Sequence, residues 1–247
     1  MISLKSKEEI ELMKKAGRVI AKALGDIEKI IRPGMTTIEL DKKTKKIITK
    51  EGCTPAFKGY KGFPGNICTS INDAVVHGIP KEEVLKEGDI LSIDVGAMYD
   101  GYYADGARTY KVGRVSKTAA KLIDVTKESL FAGIKEAMAG ERLSNISHAI
   151  QDYVESHGYS VVRALVGHGI GSKIHENPEI PNFGKPNNGP LLKPGMTLAI
   201  EPMVNEGTYE VEILDDGWTV VTKDRKLSAH FEHTVLITEG EPEILTL

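Results

Sequence analysis

An internal repeat limits what this chain can fold into more strongly than any other feature of its sequence. Two amphipathic helical segments precede a series of short β-branched runs between turns, and this order occurs twice. Helix-ending glycines keep their spacing in both copies, since Gly34 and Gly52 recur 106 residues later as Gly140 and Gly158. The repeat predicts two homologous halves related by a pseudo-twofold axis.

Two strand-like segments of the first half also have counterparts in the second half. The matching pairs are LKEGDILSID (85–94) with LKPGMTLAIE (192–201), and AVVHGI (74–79) with LVGHGI (165–170). Any one match could arise by chance, but matches that keep their order support a duplication. The alignment superposes Asp94 on Glu201 and His77 on His168, so each half has an acid at the end of an apolar strand.

Capping signals and periodicity predict four helices. The signals are capping boxes at Ser6 with Glu9 and at Thr36 with Glu39, a periodic third segment at 117–138, and Ser144 before a fourth helix that ends near Gly158. We predict an α+β fold with a central antiparallel sheet. The two halves, roughly 1–112 and 113–247, form a single domain, 1–247.

Composition excludes several classes of function. A formal charge of -3 and a pI near 6.2 argue against specific binding of nucleic acid. The sequence has no apolar run long enough to span a membrane. Two cysteines, Cys53 and Cys68, are too few for a disulfide scaffold and suit a reducing cytoplasm. The scarcity of glutamine, represented by Gln151 alone, favours a thermophilic source.

Two acids lie in a predicted hairpin where buried carboxylates would be costly. Asp94 ends an apolar strand, and Asp105 follows after the strong turn signal Asp100-Gly101. With that turn, Asp94 faces Ala107, and Asp105 is a diagonal neighbour about 7–8 Å away on the same face. The hairpin therefore predicts two carboxylates that can share a ligand.

The second half supplies two more acids of the same kind. Glu201 ends a strand in LAIEPMVN, and Glu232 shares a strand face with Thr234, opposite His233. Carboxylates about 6 Å apart repel by roughly 3 kcal/mol per pair, so four converging acids need protons or cations. Two divalent ions would balance them. The alternative is four independent acids in turns or salt bridges.

The segment LVGHGIGSKIHENP places His168 and His175 among glycines, where backbone can approach a ligand closely. Carboxylates with one or two imidazoles suit Mn, Fe(II) or Co better than calcium or a structural zinc site. HExxH, GxSxG and P-loop motifs are absent, and neither cysteine has an obvious histidine partner. The carboxylates and histidines, together with the absence of those motifs, favour a metal centre over a catalytic nucleophile or a phosphate-binding loop.

Five segments in order resemble the type I methionine aminopeptidases. They are AVVHGIP, IDVGAMYDGYYAD, GHGIGSKIHENP, AIEPMVN and SAHFEHTVLIT. The resemblance covers essentially the whole chain and implies the pita-bread fold shared with aminopeptidase P, prolidase and creatinase. It further implies a cytoplasmic, monomeric enzyme that removes methionine from the N-termini of nascent polypeptides when the second residue is small.

The resemblance also assigns the metal ligands. Asp105 and Glu232 would bridge two divalent ions, His168 and Glu201 would complete one site, and Asp94 would chelate the other ion. Co, Mn or Fe(II) are the expected ions, with Zn or Ni as alternatives. A water that bridges the ions would attack the first peptide carbonyl.

Substrate contacts follow from the same resemblance. His77 and His175 match histidines that contact substrate, and with Glu201 they are the expected catalytic residues. The remaining expected wall of the methionine pocket is Phe57, Tyr60, Phe63, Cys68, Ile174 and Trp218.

Three other interpretations compete with this function or extend it. An X-Pro peptidase of the same fold usually carries an N-terminal domain, whereas here the predicted fold opens at 5–9. A non-catalytic binding homologue would have lost metal ligands, and all five stand in this sequence. Transient ribosome docking is an additional hypothesis, and it rests on the lysines of the second helix, Lys42, Lys43, Lys45, Lys46 and Lys50.

Overall fold

Residues 2–247, which the computed structural model describes, form four α-helices and fifteen strands. The helices are α1 (Lys7–Glu28), α2 (Thr37–Lys50), α3 (Lys117–Lys135) and α4 (Leu143–Ser156). The strands are β1 (Thr54–Pro55), β2 (Cys68–Ile71), β3 (Ala74–Val76), β4 (Ile90–Tyr99), β5 (Tyr102–Lys111), β6 (Ser160–Val161), β7 (Gly167–Gly169), β8 (Glu176–Ile180), β9 (Thr197–Ile200), β10 (Met203–Asn205), β11 (Val211–Ile213), β12 (Val220–Thr222), β13 (Ser228–His230), β14 (Glu232–Leu236) and β15 (Glu243–Ile244). Within the same residues, no helix has the length and apolar character needed to cross a membrane.

Both predicted capping boxes are present, at the starts of α1 and α2. At α1, the Ser6 hydroxyl accepts from the Glu9 N–H at 3.3 Å, and the Glu9 carboxylate accepts from the Ser6 N–H at 2.6 Å. Thr36 and Glu39 repeat this arrangement at α2. These local signals need no tertiary contact, which explains why the sequence predicts them.

The predicted cap at Ser144 is wrong, because α4 begins at Leu143, two residues earlier than such a cap requires, and its N-cap residue Arg142 makes no side-chain cap. The Leu143 and Ser144 N–H groups donate instead to the carbonyls of Pro190 and Asn188, at 3.0 and 3.2 Å. The Ser144 hydroxyl accepts from the Asn188 N–H at 2.7 Å. A loop distant in sequence thus satisfies the donors that a capping side chain would otherwise satisfy.

The main sheet has the symmetry that the repeat predicts. Its order is β1-β4-β5-β14-β9-β7-β8, with β2 also paired to β4 and β15 to β14, and all of these pairs are antiparallel. The order is symmetric about the β5–β14 pair, so β4 and β5 correspond to β9 and β14. Asp100 and Gly101 have φ values of 46° and 83° and close the β4–β5 hairpin in the predicted register.

Each half packs its own helices on one face of this sheet. Leu24 and Ile27 of α1 join a core with Leu91 of β4, and Leu122 of α3 joins a second core with Leu198 of β9. Pairing between β5 and β14 makes the sheet continuous across the halves. We propose that the two halves fold as one domain, and their helices leave the other sheet face free for a site.

Strand register modifies the predicted equivalence of the two histidines. His168 on β7 lies opposite Ala199, two residues before Glu201. The residue in the same relation to Asp94 is Ser70 on β2, because Ser70 lies opposite Ser92. His77 follows β3, which pairs with β12 in a separate sheet. The duplicated sequence therefore keeps two histidines but uses them at different places.

Two glycines of α1 provide a test of how tightly the C-terminal segment packs on this helix. A Cβ at Gly17 would lie 2.1 Å from the Leu245 carbonyl oxygen, whereas a Cβ at Gly25 would meet nothing within 4 Å. Gly25→Ala should stabilise the protein by up to about 1 kcal/mol through helix propensity. Gly17→Ala should destabilise it by about 1–3 kcal/mol despite the same propensity gain.

The free energy of unfolding in urea measures both effects. Gly25→Ala is the matched control because it makes the same substitution in the same helix. Equal stabilisation by the two substitutions would contradict the close packing of α1 against Leu245.

Candidate active site

The five predicted metal ligands converge from five strand positions on the free face of the sheet. They line one cavity of about 290 Å³, together with both predicted histidines and most of the expected pocket wall. The contributing elements are β4 for Asp94, β5 for Asp105, β7 for His168, the position directly after β9 for Glu201, and the start of β14 for Glu232. The halves contribute complementary parts of a single site.

Pairing around Ala107 brings three carboxylates together. Ala107 lies opposite Asp94 on one neighbouring strand and opposite Glu232 on the other. Asp105 is fixed next to them, because its N–H donates to the Thr234 hydroxyl at 2.9 Å and its carbonyl accepts from that hydroxyl at 2.8 Å. The small side chain at position 107 leaves space between the acids.

A buried imidazole completes the cluster. Asp105, His168 and Glu232 each offer one ligand atom, and these atoms lie within 4.8 Å of one another. His168 Nδ1 lies 2.9 Å from the Gly169 carbonyl, so Nδ1 carries the proton and Nε2 keeps a free lone pair. Nε2 faces Glu201 Oε1 at 3.5 Å. This tautomer presents Nε2 as a ligand for a cation.

Within residues 2–247, no Lys or Arg forms a salt bridge with the buried carboxylates of this cluster, and only His168 and His230 lie within 4 Å of one of them, Glu201. Burial, reinforced by the neighbouring carboxylates, raises the pKa of Asp94, Glu201 and Glu232 well above the ordinary value. Burial raises the pKa of Asp105 to about 7. Among the described residues, Asp94 Oδ1 and Glu232 Oε1 have no hydrogen-bond partner. Oxygen and imidazole ligands with unsatisfied lone pairs fit divalent cations.

Two further histidines stand beside the cluster and are neutral at physiological pH. The His175 ring lies 4.2 Å from the His168 ring and stacks on Tyr60 at 5.2 Å, between centroids. Burial, followed by nearby positive charge, lowers the pKa of His175 to about 3. Burial also lowers the pKa of His77, whose backbone is left-handed with φ of 59°. Neutral imidazoles can donate hydrogen bonds to a developing negative charge.

An apolar cluster adjoins the carboxylates. Phe57, Phe63, Cys68 and Ile174 are buried together, and Tyr60 and Trp218 pack against them. All of these except Ile174 line the cavity itself, so Ile174 supports the wall from behind. Gly96 permits this packing, since a Cβ there would lie 2.6 Å from the Phe57 ring.

Cys68 has the properties of a wall residue. It lies opposite Asp94 in strand register and is 5% exposed. Burial and then the charge of Asp94 raise the pKa of its thiol well above the ordinary value, so it remains protonated. A thiolate nucleophile is therefore not expected here, as the sequence predicts.

Several residues of this site escape sequence reasoning. Val76 and Met203 lie within the quoted motifs AVVHGIP and AIEPMVN, and Leu165 and Val166 begin the quoted LVGHGI, but none was assigned to the site, whereas Lys61 and Ala164 gave no signal. His230 is fully buried, and its Nε2 lies 3.9 Å from Glu201 Oε2. It stands in the quoted segment SAHFEHTVLIT, but nothing local distinguishes it from a core histidine.

Comparison with known proteins identifies the family and the fold of the chain. A model of metallopeptidase family M24 matches residues 11–239. The prolidase from Pyrococcus furiosus superposes with a TM-score of 0.81 at 26% identity, covering 99% of this chain but only 65% of the prolidase. The fold is therefore the pita-bread fold, and the prolidase has a large additional part that this chain does not match.

The methionine aminopeptidases match throughout. The methionine aminopeptidase of Clostridium perfringens is 56% identical over 247 residues, which cover 100% of this chain and 99% of that relative. The crystal structure of methionine aminopeptidase from Thermotoga maritima has a TM-score of 0.98 at 51% identity and covers 100% of this chain and 99% of the other. The chain thus belongs to metallopeptidase family M24, among its methionine aminopeptidases.

Proposed function

We propose that the protein hydrolyses the first peptide bond of polypeptides that begin with methionine and have a small second residue. The observation that carries this proposal is a single cavity in which a buried carboxylate–imidazole cluster adjoins an apolar pocket. The cluster supplies hydrolytic chemistry, and the pocket accommodates one unbranched apolar side chain. Methionine suits it, because a thioether makes favourable contacts with aromatic rings.

Two divalent cations are the proposed cofactors. Asp105 and Glu232 would hold both ions, His168 and Glu201 one of them, and Asp94 the other. Two such ions would balance four carboxylates whose pKa values are otherwise raised by burial and mutual repulsion. The donor set favours Co, Mn or Fe(II), with Zn or Ni as alternatives. When bound, the ions polarise the scissile carbonyl and lower the pKa of water.

The surrounding side chains would orient the substrate and move protons. The free α-amine would lie at the Asp94 end of the cluster, because Asp94 faces the pocket wall at Cys68. His175 and His77 would donate hydrogen bonds to the developing oxyanion and the scissile amide. Glu201, whose carboxyl lies beside His168, would accept a proton from water and pass it to the leaving amine.

The proposed substrates place the protein with nascent chains in the cytoplasm. Both cysteines are free and buried, which is compatible with a reducing compartment. Ribosome docking through α2 and a monomeric state remain predictions. The five α2 lysines that the docking hypothesis names are all exposed: Lys42, Lys43, Lys45, Lys46 and Lys50.

Replacing Asp105 separates charge repulsion from metal binding. In the presence of a chelator, the folded protein holds the Asp105 proton up to about pH 7, whereas the unfolded chain loses it near pH 4. Ionisation of Asp105 therefore costs no stability below about pH 4, an increasing amount as the pH rises from about 4 to 7, and a constant amount above that. Asp105→Asn should be more stable than wild type at pH 8 by about 2–4 kcal/mol, and the two should converge near pH 4.

Chemical denaturation of both proteins from pH 4 to 8 measures this difference. Contributions of the buried histidines cancel because both proteins contain them. Added Mn²⁺ or Co²⁺ should reverse the order, since the variant lacks a bridging ligand and gains less stability from the ion. A variant that bound two ions as tightly as wild type would refute the assignment of Asp105.

The histidines should affect turnover without affecting metal content. His77→Ala and His175→Ala should each lower kcat by about 10²–10⁴-fold, the range for an acid–base or oxyanion group. Bound metal, measured by elemental analysis, should match wild type. His148→Ala on the exposed face of α4 is the control. Loss of an ion from either variant would make that histidine a ligand.

A panel of Met-X peptides tests specificity. Val76 and His77 line the cavity where the second residue would lie, so Gly, Ala, Ser, Thr, Cys, Val and Pro should be accepted there and larger residues rejected. Norleucine should replace methionine with a loss of about 10–200-fold at most. Lys and Glu at the first position should fail, because the pocket would bury an unpaired charge. Equal kcat/KM for Met-Lys and Met-Ala would overturn the proposal.

A further inference from the structure

The segment that precedes α1 is tied to the loop that carries His175. Lys5 Nζ lies 2.7 Å from Glu176 Oε2, and the two side chains are only 3% and 11% exposed. Glu176 directly follows His175 and begins β8. The ion pair thus joins two residues that are 171 positions apart in the sequence, next to a proposed catalytic group.

Lys5 is held firmly enough to act as an anchor. Its N–H donates to the Gly195 carbonyl at 2.8 Å, which fixes its backbone against the turn before β9. Its side chain packs against Gly171, where an added Cβ would lie 2.3 Å from Lys5 Cε. The β7–β8 loop therefore rests directly on the aliphatic part of Lys5.

Glu176 connects Lys5 to the β7–β8 loop through hydrogen bonds. Its Oε1 accepts from the Lys173 N–H at 3.1 Å and from the Ser172 hydroxyl at 3.2 Å, while Oε2 pairs with Lys5. Burial alone would raise the pKa of Glu176, but the hydrogen bond and charge of Lys5 bring the pKa below the ordinary value. The carboxylate is therefore ionised and organises both sides of the loop.

Backbone contacts leave the rest of the loop little freedom. The Gly171 N–H donates to the Lys173 carbonyl at 3.0 Å, and the Gly171 carbonyl accepts from the Tyr103 N–H at 2.8 Å. His175 is the last loop residue before β8, so its ring position depends on how 171–174 is held. The ion pair itself need not stabilise the fold, because apolar residues can often replace a buried ion pair without loss of stability.

We infer that Lys5 is a positioning residue that acts through Glu176 to hold the His175 imidazole against the metal cluster. The inference rests on the proposed catalytic role of His175. Lys5 is not among the residues that line the cavity. Its effect on catalysis would come from orientation, which can change a rate by about 10²-fold for a displacement of about 1 Å.

The test uses Lys5→Met, which keeps the unbranched side chain that packs on Gly171 and removes the charge. With full-length, metal-loaded protein and a Met-Ala peptide, kcat should fall about 10–100-fold. Bound metal and its affinity should match wild type, since Lys5 contacts no proposed ligand. Wild-type kcat in the folded variant would overturn the inference.

Because Lys5→Met leaves the Glu176 carboxylate buried without a cation, a second variant guards against misfolding. Lys5→Met with Glu176→Gln removes both charges but keeps an acceptor for Ser172 and Lys173. It should unfold cooperatively near the wild-type urea midpoint and still have the lowered kcat. Recovery of wild-type kcat in this double variant would show that the ion pair does not position His175.

A double-mutant cycle distinguishes this inference from the proposed function. If Lys5 acts through His175, Lys5→Met should have no further effect on kcat in a His175→Ala background. Additive losses would overturn the inference while leaving His175 catalytic. Wild-type kcat in His175→Ala alone would instead refute the proposed role of His175.

An ion pair on α1, which follows the Lys5 segment, provides the matched control. Lys14 Nζ lies 2.9 Å from Glu243 and ties the helix to β15, away from the site, with its side chain 25% exposed. Lys14→Met should leave kcat at the wild-type value. An equal fall in kcat from Lys14→Met would show that any loosening of α1 slows catalysis, and the inference would fail.

Discussion

Repulsion among carboxylates across the junction of β5 and β14 is the constraint on which the rest of the structure depends. Ala107 pairs with strands on both sides, and this register brings Asp94 and Glu232 next to Asp105 in a buried place. Such an arrangement opposes folding unless the charge is neutralised. Backbone hydrogen bonds between β5 and β14, together with those of the Thr234 hydroxyl to Asp105, hold the strands together against this repulsion.

Two separate hydrophobic cores stabilise the fold and offset the repulsion among the carboxylates. Each half buries its own helix pair on the sheet, so the acids at the junction never have to contribute to packing. The free face can then be specialised. One end holds the buried carboxylate and imidazole side chains, and the other holds the aromatic pocket around Phe57 and Phe63. The division of the sheet into a structural and a chemical face follows from the duplication.

Features that depend on local patterns could be predicted from the sequence. The Asp100-Gly101 turn determined the hairpin register and hence the relation of Asp94 to Asp105, and both capping boxes depend on residues three apart. Features that depend on distant segments could not. Ser144 failed as a cap because residues 188–190 supply the acceptors. His77 and His168 looked equivalent, yet strand pairing relates His168 to Ser70.

The contact between Asp105 and Thr234 spans 129 residues of sequence, which has a consequence for the order of events during synthesis. The first half contains both helices and the strands of its own core, so it can begin to pack while the ribosome is still translating the second half. Strand β14, which carries Glu232, is translated after β4, β5, β7 and β9, which position the other acids and the imidazole of the cluster. The proposed metal cluster therefore cannot assemble before β14 has been translated, even if the first half has already begun to fold.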